Sequence, residues 1–327
     1  MTVSLFGLTA ESYTKHALHR DERAFGESNC YVDLFIEVLH TLGLESVACL
    51  GFTAAIDFEG DQFTFYKPPF ADLFDLYGIE VQELNIWRPL LAHAIEQLQQ
   101  NKLVMTEADA FYLPDTSGTD YRTQHTKTTI GIETIDAESQ RLGYFHNGGY
   151  YALTGADFQG VFRLAPTYND TAALPLFAEI VKLGRIIHRS HADLVDCSLG
   201  LLRAHLSRPL RHNPMAAFAK RFDSDLAWLR TQALATYHAW AFATLRQCGS
   251  GFGLLAHYLR WLAENDHPAF AAAAADFDSI ADNSKAFILK GARAVSTKRP
   301  ADFSPILSSM AASWESGMAR LLASRDG

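Results

Sequence analysis

The feature that most constrains the fold is a change in hydrophobic periodicity near residue 165. Before it, short runs of alternating apolar and polar residues are mixed with helix-like segments and turn residues. After it, apolar residues recur every three or four positions, as in DLAWLRTQALATYHAWAFATLRQ; this is the period of helices packed in a bundle. The sequence predicts an α+β domain, with helices on an antiparallel sheet, over residues 1–165, and an all-α helical bundle over residues 166–327.

The periodicity also predicts individual elements. Residues 30–42 form an apolar face at helical spacing that ends at Gly43. The polar stretch DAESQ between two alternating runs is typical of an antiparallel hairpin. These predictions include helices at 30–42, 71–77, 89–100 and through 174–206, a buried strand at 47–53, a β-like run at 103–113, hairpin strands at 126–135 and 141–147, a short strand at 150–153, and a last helix after residues 297–305.

Composition excludes several classes of protein. The chain is 48% hydrophobic and 20% charged, which is typical of a globular protein with a substantial core. No apolar run reaches the roughly 18 residues of a membrane span, and the N-terminus lacks the pattern of a signal peptide. Cys30, Cys49, Cys197 and Cys248 lie far apart without a CxxC pair, so we expect reduced thiols. We therefore expect a cytoplasmic protein with no membrane partner.

Charge is divided unevenly along the chain. Residues 1–165 contain 23 acidic and 10 basic side chains, a net −13, whereas residues 166–327 contain 14 and 18, a net +4. Residues 197–221 carry no acidic side chain, so they are either an ordinary solvated helix end or a surface that binds an anionic partner. Nucleic acid is a poor partner for a chain of net charge −9 without a nucleic-acid motif. The candidate partner-binding residues are Arg203, Arg208, Arg211, Lys220 and Arg221.

Cys30 is the candidate nucleophile. It stands at the predicted start of a helix, where unpaired backbone N–H groups favour a thiolate. His125 is the natural base, because it lies where a polar loop becomes a strand that can hold the ring rigid. The structural alternative is that Cys30 is a packed core thiol, which is the common fate of free cysteines.

A third group must orient the base, and Asn147 stands at the end of the returning hairpin strand. If the turn is centred near Glu138, Asn147 faces Thr129, about 13 Å along the strand from His125. A bulge or longer turn must absorb that distance, or Asp109 or Asp115 must orient His125 instead.

Other histidines suggest different roles. His16 and His19, and likewise His188 and His191, are one helical turn apart in sequence, but neither pair has a matching second pair, so no metal site is predicted. His146 competes with His125 as the base. Strand alternation places it on the face of the sheet opposite to Asn147.

Several motifs resemble known families. EADAFYLPDT, HTKTTIGI and LGYFHNGGYY are similar to the papain-like acyltransferase of butirosin biosynthesis and to the bacteriocin-processing peptidases. NCYVDLFIEVLH, DFEGDQFTF, FYLPDT and YFHNGGYY resemble, over nearly the full length, the bacterial family called domain of unknown function 1839. The resemblance implies a papain-like fold in which Cys30 is the nucleophile, His125 the base and Asn147 the orienting residue. Papain-like enzymes place a glutamine shortly before the cysteine; here Ala24 stands six residues before it, so Asn29 and the Cys30 backbone N–H are the substitutes in an oxyanion site.

The expected function is transfer of an acyl group from a carrier-protein thioester to a small amine through an acyl-enzyme. The alternatives are an amidase or peptidase with the same residues, and an inactive scaffold that binds a carrier protein or a small amide. No cofactor is expected beyond the phosphopantetheine arm of a donor carrier protein. The sequence leaves the oligomeric state open, and a homodimer is one option.

Overall fold

The computed structural model describes residues 2–20, 22–164, 174–208, 210 and 212–324. The chain divides into two compact units that interleave in sequence. The first unit contains Met1–Arg20, Asn29–Ser46 and Phe70–His188, and the second contains Asp21–Ser28, Val47–Pro69 and Arg189–Gly327. The predicted boundary between residues 165 and 166 lies outside the described residues.

Strands and short helices form the first unit. Its strands are β1 (Thr2–Ser4), β2 (Glu80–Glu83), β3 (Lys102–Asp109), β4 (Lys127–Asp136), β5 (Arg141–His146), β6 (Gly149–Thr154) and β7 (Ala178–Lys182). Its α-helices are α1 (Ala17–Arg20), α2 (Cys30–Thr41), α3 (Phe70–Tyr77), α4 (Leu90–Gln99) and α5 (Ala156–Val161), with 3-10 turns at Ala110–Tyr112 and Pro114–Thr116.

Within the described residues, seven strands form one antiparallel sheet. Six of them follow the order β2-β7-β3-β4-β5-β6, and β1 pairs with β4 outside that order. The long strand β4 pairs with β3 along its first part, with β1 along its last part, and with β5 on its other edge. Gly131 faces Phe145, and the register shifts by one between Ile132 and Thr134. The α+β prediction and the predicted hairpin are thereby confirmed.

The two faces of this sheet carry different helices. Apolar residues from α4 and α5 pack with Val104, Ile130 and Ile132 in one core. On the other face, α2 contacts β4, β5 and β6. A Cβ at Gly131 would lie 3.3 Å from both terminal methyl carbons of Leu34, so glycine allows α2 to approach the sheet closely.

The ends of the helices follow local chemistry. Asn29 caps α2, because its side-chain oxygen accepts hydrogen bonds from the backbone N–H groups of Tyr31 and Val32, both at 3.1 Å. Gly43 and Gly78 follow α2 and α3 with φ of 68° and 70°, the left-handed conformation that glycine adopts easily. The helices predicted at 30–42, 71–77 and 89–100 are confirmed.

Two predicted elements are wrong. Residues 47–53 are not a strand but part of a 3-10 helix, Ser46–Ala55; a short apolar run does not distinguish these conformations. Residues 174–206 are not helical throughout, because Ala178–Lys182 is strand β7, between β2 and β3. Its partners lie more than 70 residues away in sequence, so local periodicity did not reveal the pairing.

The second unit is helical. Its helices are α6 (His191–Leu206), α7 (Pro214–Leu229), α8 (Leu234–Ala241), α9 (Gln247–Glu264), α10 (Ala271–Thr297) and α11 (Ser304–Ser324), with a π-helical turn at Phe242–Arg246 and a 3-10 turn at Pro268–Phe270. The helix α10 packs against α9 and α11. The Ser198 hydroxyl donates to the Ala48 carbonyl at 2.7 Å, and Tyr66 bonds Ser250 at 2.8 Å. These bonds connect residues 47–69 to the helices.

Candidate functional site

His125 and Asp109 form a hydrogen-bonded pair at one end of the sheet. Nδ1 of His125 lies 2.6 Å from Oδ2 of Asp109, while Oδ1 of Asp109 accepts from the Phe111 backbone N–H at 3.1 Å. The imidazole also stacks on the Phe111 ring, with centroids 4.5 Å apart. A carboxylate at Nδ1 holds the tautomer in which Nε2 is the free acceptor. Of the orienting groups considered from the sequence, Asp109 is the one that contacts His125.

A cavity of about 670 Å³ adjoins this pair. Its charged lining includes the Lys127–Glu107 ion pair, 2.8 Å from Nζ to Oε1. The side chain of His125 is 68% exposed, so its free nitrogen is accessible to solvent and to a ligand. The apolar part of the lining comprises Tyr112, Val161, Leu174, Pro175 and Leu176.

Cys30 is the first residue of α2 and is partly buried. The Asn29 side-chain oxygen already accepts hydrogen bonds from the next two backbone N–H groups, so that oxygen acts as a helix cap. Cys49 and Cys248 are buried, and burial raises the pKa of the Cys248 thiol to about 12. Cys197 is partly buried, like Cys30, and is therefore its matched control.

The structure does not bring Cys30 and His125 into contact. Within the described residues no hydrogen bond joins them. The contact between Leu34 and Gly131 gives a common reference point on α2 and β4. From it, Cys30 lies about 6 Å back along the helix. His125 precedes Gly131 by six residues, or about 20 Å of extended chain. The pairing of Cys30 with His125 remains a prediction that requires movement.

Asn147 lies in a two-residue turn between β5 and β6. His146 and Gly149 are register partners, and Asn147 has φ of 46°. Asparagine tolerates this left-handed conformation better than most residues. The observed register, extended by two residues, places Asn147 opposite Thr129, as the sequence predicted, and His125 bonds Asp109 instead.

Asp115 belongs to a different network. Its Oδ2 lies 2.5 Å from Nδ1 of His146, whose Nε2 is 2.8 Å from the Thr128 hydroxyl. The Tyr144 hydroxyl donates to the other oxygen of Asp115. His146 and Asp115 have side chains only 2% and 4% exposed, so this network fixes the Asp115 turn to the sheet and leaves His146 little access to a substrate.

Sequence reasoning missed a buried charge cluster beside Cys30 on α2. His19 places Nε2 3.1 Å from Asp33 and donates through Nδ1 to Glu37. Burial alone would lower the His19 pKa, but its hydrogen bonds to Asp33 and Glu37 outweigh burial and raise the pKa to about 9. Burial opposes the charge on Glu37, yet the bonds and charge of His19 lower its pKa. Asp33 and Glu37, spaced i, i+4 in an apolar helix, were the available signal.

The comparisons with known families match both parts of the chain. Residues 14–183 match the model of the DUF1839 N-terminal domain, and residues 191–323 match that of the DUF1839 C-terminal domain. The chain belongs to the DUF1839 family. Among curated proteins, none matches this sequence. Cys30, Asp109 and His125 all lie within the DUF1839 N-terminal domain.

The basic candidates lie in the DUF1839 C-terminal domain. Arg203, Arg208 and Lys220 are exposed, whereas Nε of Arg221 lies 2.6 Å from Oδ1 of Asp225. Arg211 lies outside the described residues. The Arg221 charge is thus partly neutralised, so Arg203, Arg208 and Lys220 contribute most of the positive surface in the described part of this segment.

No group of three or more histidine, cysteine, aspartate or glutamate side chains among the described residues could hold a metal ion. None of the helices described is both long and apolar enough to cross a bilayer.

Proposed function

We propose that the DUF1839 N-terminal domain is a papain-like, cysteine-dependent acyltransferase. Cys30 accepts the acyl group of a carrier-protein thioester and passes it to a small amine, with His125 as base. The observation that carries the proposal is the Asp109–His125 pair, 2.6 Å apart, beside a cavity of about 670 Å³. A base oriented by a carboxylate is what a cysteine nucleophile requires.

The reaction balances in two steps. The Cys30 thiol gives its proton to Nε2 of His125 and its sulfur attacks the thioester carbonyl; the bond to the donor sulfur breaks, and that sulfur takes the proton from His125. The amine then attacks the acyl-enzyme, His125 removes an amine proton, and the bond to Cys30 breaks as its sulfur recovers that proton. No oxidant, reductant or cofactor is consumed.

Two observations support the papain-like arrangement. A helix that begins at Cys30 packs against an antiparallel sheet, and His125 stands two residues before β4. The proposal requires His125 to move toward Cys30 when substrate binds. Its loop position and 68% exposure leave room for such movement. The Asp109 bond and the Phe111 stack must move with the ring or break.

The cavity lining favours an acyl group with an apolar body. Tyr112, Val161 and Leu176 line the cavity, which also contains the Lys127–Glu107 pair. Its volume lies within the usual range for small-molecule sites. Arg203, Arg208 and Lys220 of the other domain would attract an acidic carrier protein that presents the thioester on its phosphopantetheine arm.

Amide or peptide hydrolysis is the second candidate. The exposure of His125 favours it, since water can reach the free nitrogen in place of an amine. Both candidates pass through a Cys30 acyl-enzyme. They differ in whether the acyl group is recovered on an added amine or as the free acid.

The test is mass spectrometry of the full chain after incubation with an acetyl-loaded acyl carrier protein. We expect a 1:1 acyl adduct on Cys30 that is absent in Cys30→Ser and retained in Cys197→Ser. Asp109→Asn and His125→Ala should slow adduct formation by about 100-fold, the usual contribution of general base catalysis. If the basic surface binds the donor, Arg208→Glu should lower the yield without changing iodoacetamide labelling of Cys30.

Two outcomes would refute the enzymatic proposal. One is an acyl adduct that survives in Cys30→Ser. The other is the absence of any adduct on the natural chain together with equal iodoacetamide labelling of Cys30 and Cys197. That outcome would leave the inactive scaffold.

A further inference from the structure

Three basic side chains and one acidic side chain meet at the end of the sheet formed by β2, β7 and β3. Glu80 is the register partner of Lys182, and Lys182 is in turn the partner of Lys102. Like charges directly opposite each other destabilise a strand pair. Glu80 bonds Lys182 at 2.9 Å and Arg185 at 3.4 Å, so one carboxylate is shared between two cations and none bonds Lys102 in the described residues.

The Lys102 ammonium is held by neutral groups. Its Nζ donates to the side-chain oxygens of Gln97 at 3.1 Å and Gln100 at 2.7 Å. These bonds fix its position without neutralising its charge. An ammonium has three N–H donors, so one remains available to a ligand. Lys182 likewise uses one N–H donor in its hydrogen bond to Glu80.

These side chains line a cavity of about 310 Å³, which also includes Asn101 and Gly184. The charged lining residues are Lys102, Lys182, Arg185 and Glu80, a net charge of +2. The lining is positive although the whole chain carries a net −9. The excess therefore does not follow from the average charge of the chain.

Gly78 allows Arg185 to reach this cavity. It has φ of 70°, and a Cβ there would lie 2.1 Å from the Arg185 carbonyl oxygen. Any other residue would push the Arg185 backbone away. The Arg185 side chain is 77% exposed, so most of its guanidinium donors face solvent at the cavity rim.

We propose that this cavity, lined by Lys102, Lys182 and Arg185, is a binding site for a phosphoryl group. A phosphate monoester carries a charge of about −1.5 to −2 at neutral pH, which matches the net +2 of the lining. Arginine and lysine together are the usual phosphate ligands, the first through its planar donors and the second as a point charge. A bound phosphate would also relieve the repulsion between Lys102 and Lys182.

The site is separate from the proposed acyl-transfer site. Lys102 and Asp109 are the first and last residues of β3, about 23 Å apart along the strand. The phosphate site does not depend on Cys30 or His125, so either proposal can fail while the other holds.

The test is thermal unfolding and titration calorimetry of the full chain with inorganic phosphate and with glycerol 3-phosphate, against sodium chloride of equal ionic strength. We expect both phosphates to raise Tm beyond the chloride effect. Lys102→Gln and Arg185→Gln should weaken binding about tenfold or more, because each removes a charged donor. Glu80→Gln should tighten binding because it removes the competing carboxylate.

Lys285→Gln is the matched control, since it removes one exposed lysine charge from α10, and phosphate binding should be unchanged. The proposal is overturned if chloride gives the same rise in Tm, if Lys285→Gln weakens binding as much as Lys102→Gln, or if Lys102→Gln and Arg185→Gln bind as the natural chain does. The probe that binds more tightly identifies the occupant as free phosphate or as the phosphoryl group of a larger molecule.

Discussion

His19 shows how a single side chain can determine the charge balance of a buried region. Its ring lies between Asp33 and Glu37, and all three side chains are at most 1% exposed. Two buried carboxylates without a cation would be strongly unfavourable. Glu37 also accepts the Tyr13 hydroxyl at 2.5 Å and the His16 backbone N–H at 3.1 Å. The cluster fixes the segment before α1 against α2.

We predict that His19→Gln lowers the free energy of unfolding by roughly 3–5 kcal/mol at pH 6.5, the usual cost of breaking a buried ion pair. Because the folded pKa of His19 is about 9 and its ordinary value is 6.5, the protonated ring stabilises the fold fully below pH 6.5. That contribution, about 3 kcal/mol, is lost as pH rises toward 9. Urea unfolding between pH 6 and 9.5 measures it.

The control is His40→Gln, also on α2, whose ring bonds the Thr14 carbonyl. The His40→Gln variant should still lose stability between pH 6.5 and 9, whereas the His19→Gln variant should not show this loss. An unchanged slope in His19→Gln would contradict a protonated His19. Below pH 4.5 the opposite sign applies to Glu37, whose lowered pKa means that its stabilisation is lost as pH falls.

The sequence identified part of the candidate site. The position of His125 before a strand was readable from the alternation of β4, and Asp109 was among the orienting groups considered. That Asp109 rather than Asn147 contacts His125 depends on the loop between β3 and β4, which periodicity does not describe. The His19 cluster joins residues 14 and 18 positions apart, beyond the reach of a helical repeat.

The turn of the β5–β6 hairpin gives Asn147 a structural role. Its two-residue turn needs a left-handed residue at position 147, where φ is 46°. Gly148 is also required, since a Cβ there would lie 2.6 Å from the His19 ring. The turn therefore explains the asparagine without a catalytic role.

We predict that Asn147→Gly keeps the free energy of unfolding within about 0.5 kcal/mol, whereas Asn147→Ala lowers it by about 1 kcal/mol, because alanine is strained at positive φ. Urea unfolding of both variants measures this difference. Acyl adduct formation on Cys30 should be unaffected in Asn147→Gly. Loss of the adduct in a variant that folds normally would instead support Asn147 as the group that orients the base.

Elements with strong local signals were predicted correctly, and those that depend on distant partners were not. Gly43 and Gly78 end α2 and α3 through their own conformation, and the β4–β5 hairpin pairs residues close in sequence. By contrast, β7 becomes a strand because it lies between β2 and β3. The Ser46–Ala55 helix consists mostly of apolar and small residues. Such a run does not distinguish a strand from a helix, so packing decides its conformation.

The two compact units do not correspond to two continuous halves of the chain. Val47–Pro69 belongs with the helices although both neighbouring segments belong with the sheet. This segment buries seven large apolar side chains: Val47, Leu50, Phe52, Ile56, Phe58, Phe63 and Tyr66. At about 1.5–3 kcal/mol each, their burial contributes roughly 10–20 kcal/mol, as much as the net stability of a typical domain.

We therefore predict that a fragment of residues 1–188 aggregates or binds a hydrophobic dye, because these side chains lose their partners. Among the lost partners are Phe218, whose ring contacts Phe58 and Phe63, and Ser250, which bonds the Tyr66 hydroxyl. Replacing residues 48–68 of that fragment with a glycine–serine linker of equal length should restore a monomer with cooperative unfolding, since the remaining residues belong almost entirely to the sheet unit. Light scattering and urea unfolding distinguish the two fragments. The opposite result would contradict the division into units. If the 1–188 fragment is monomeric and unfolds cooperatively, and the linker variant does not, then residues 47–69 stabilise the sheet unit.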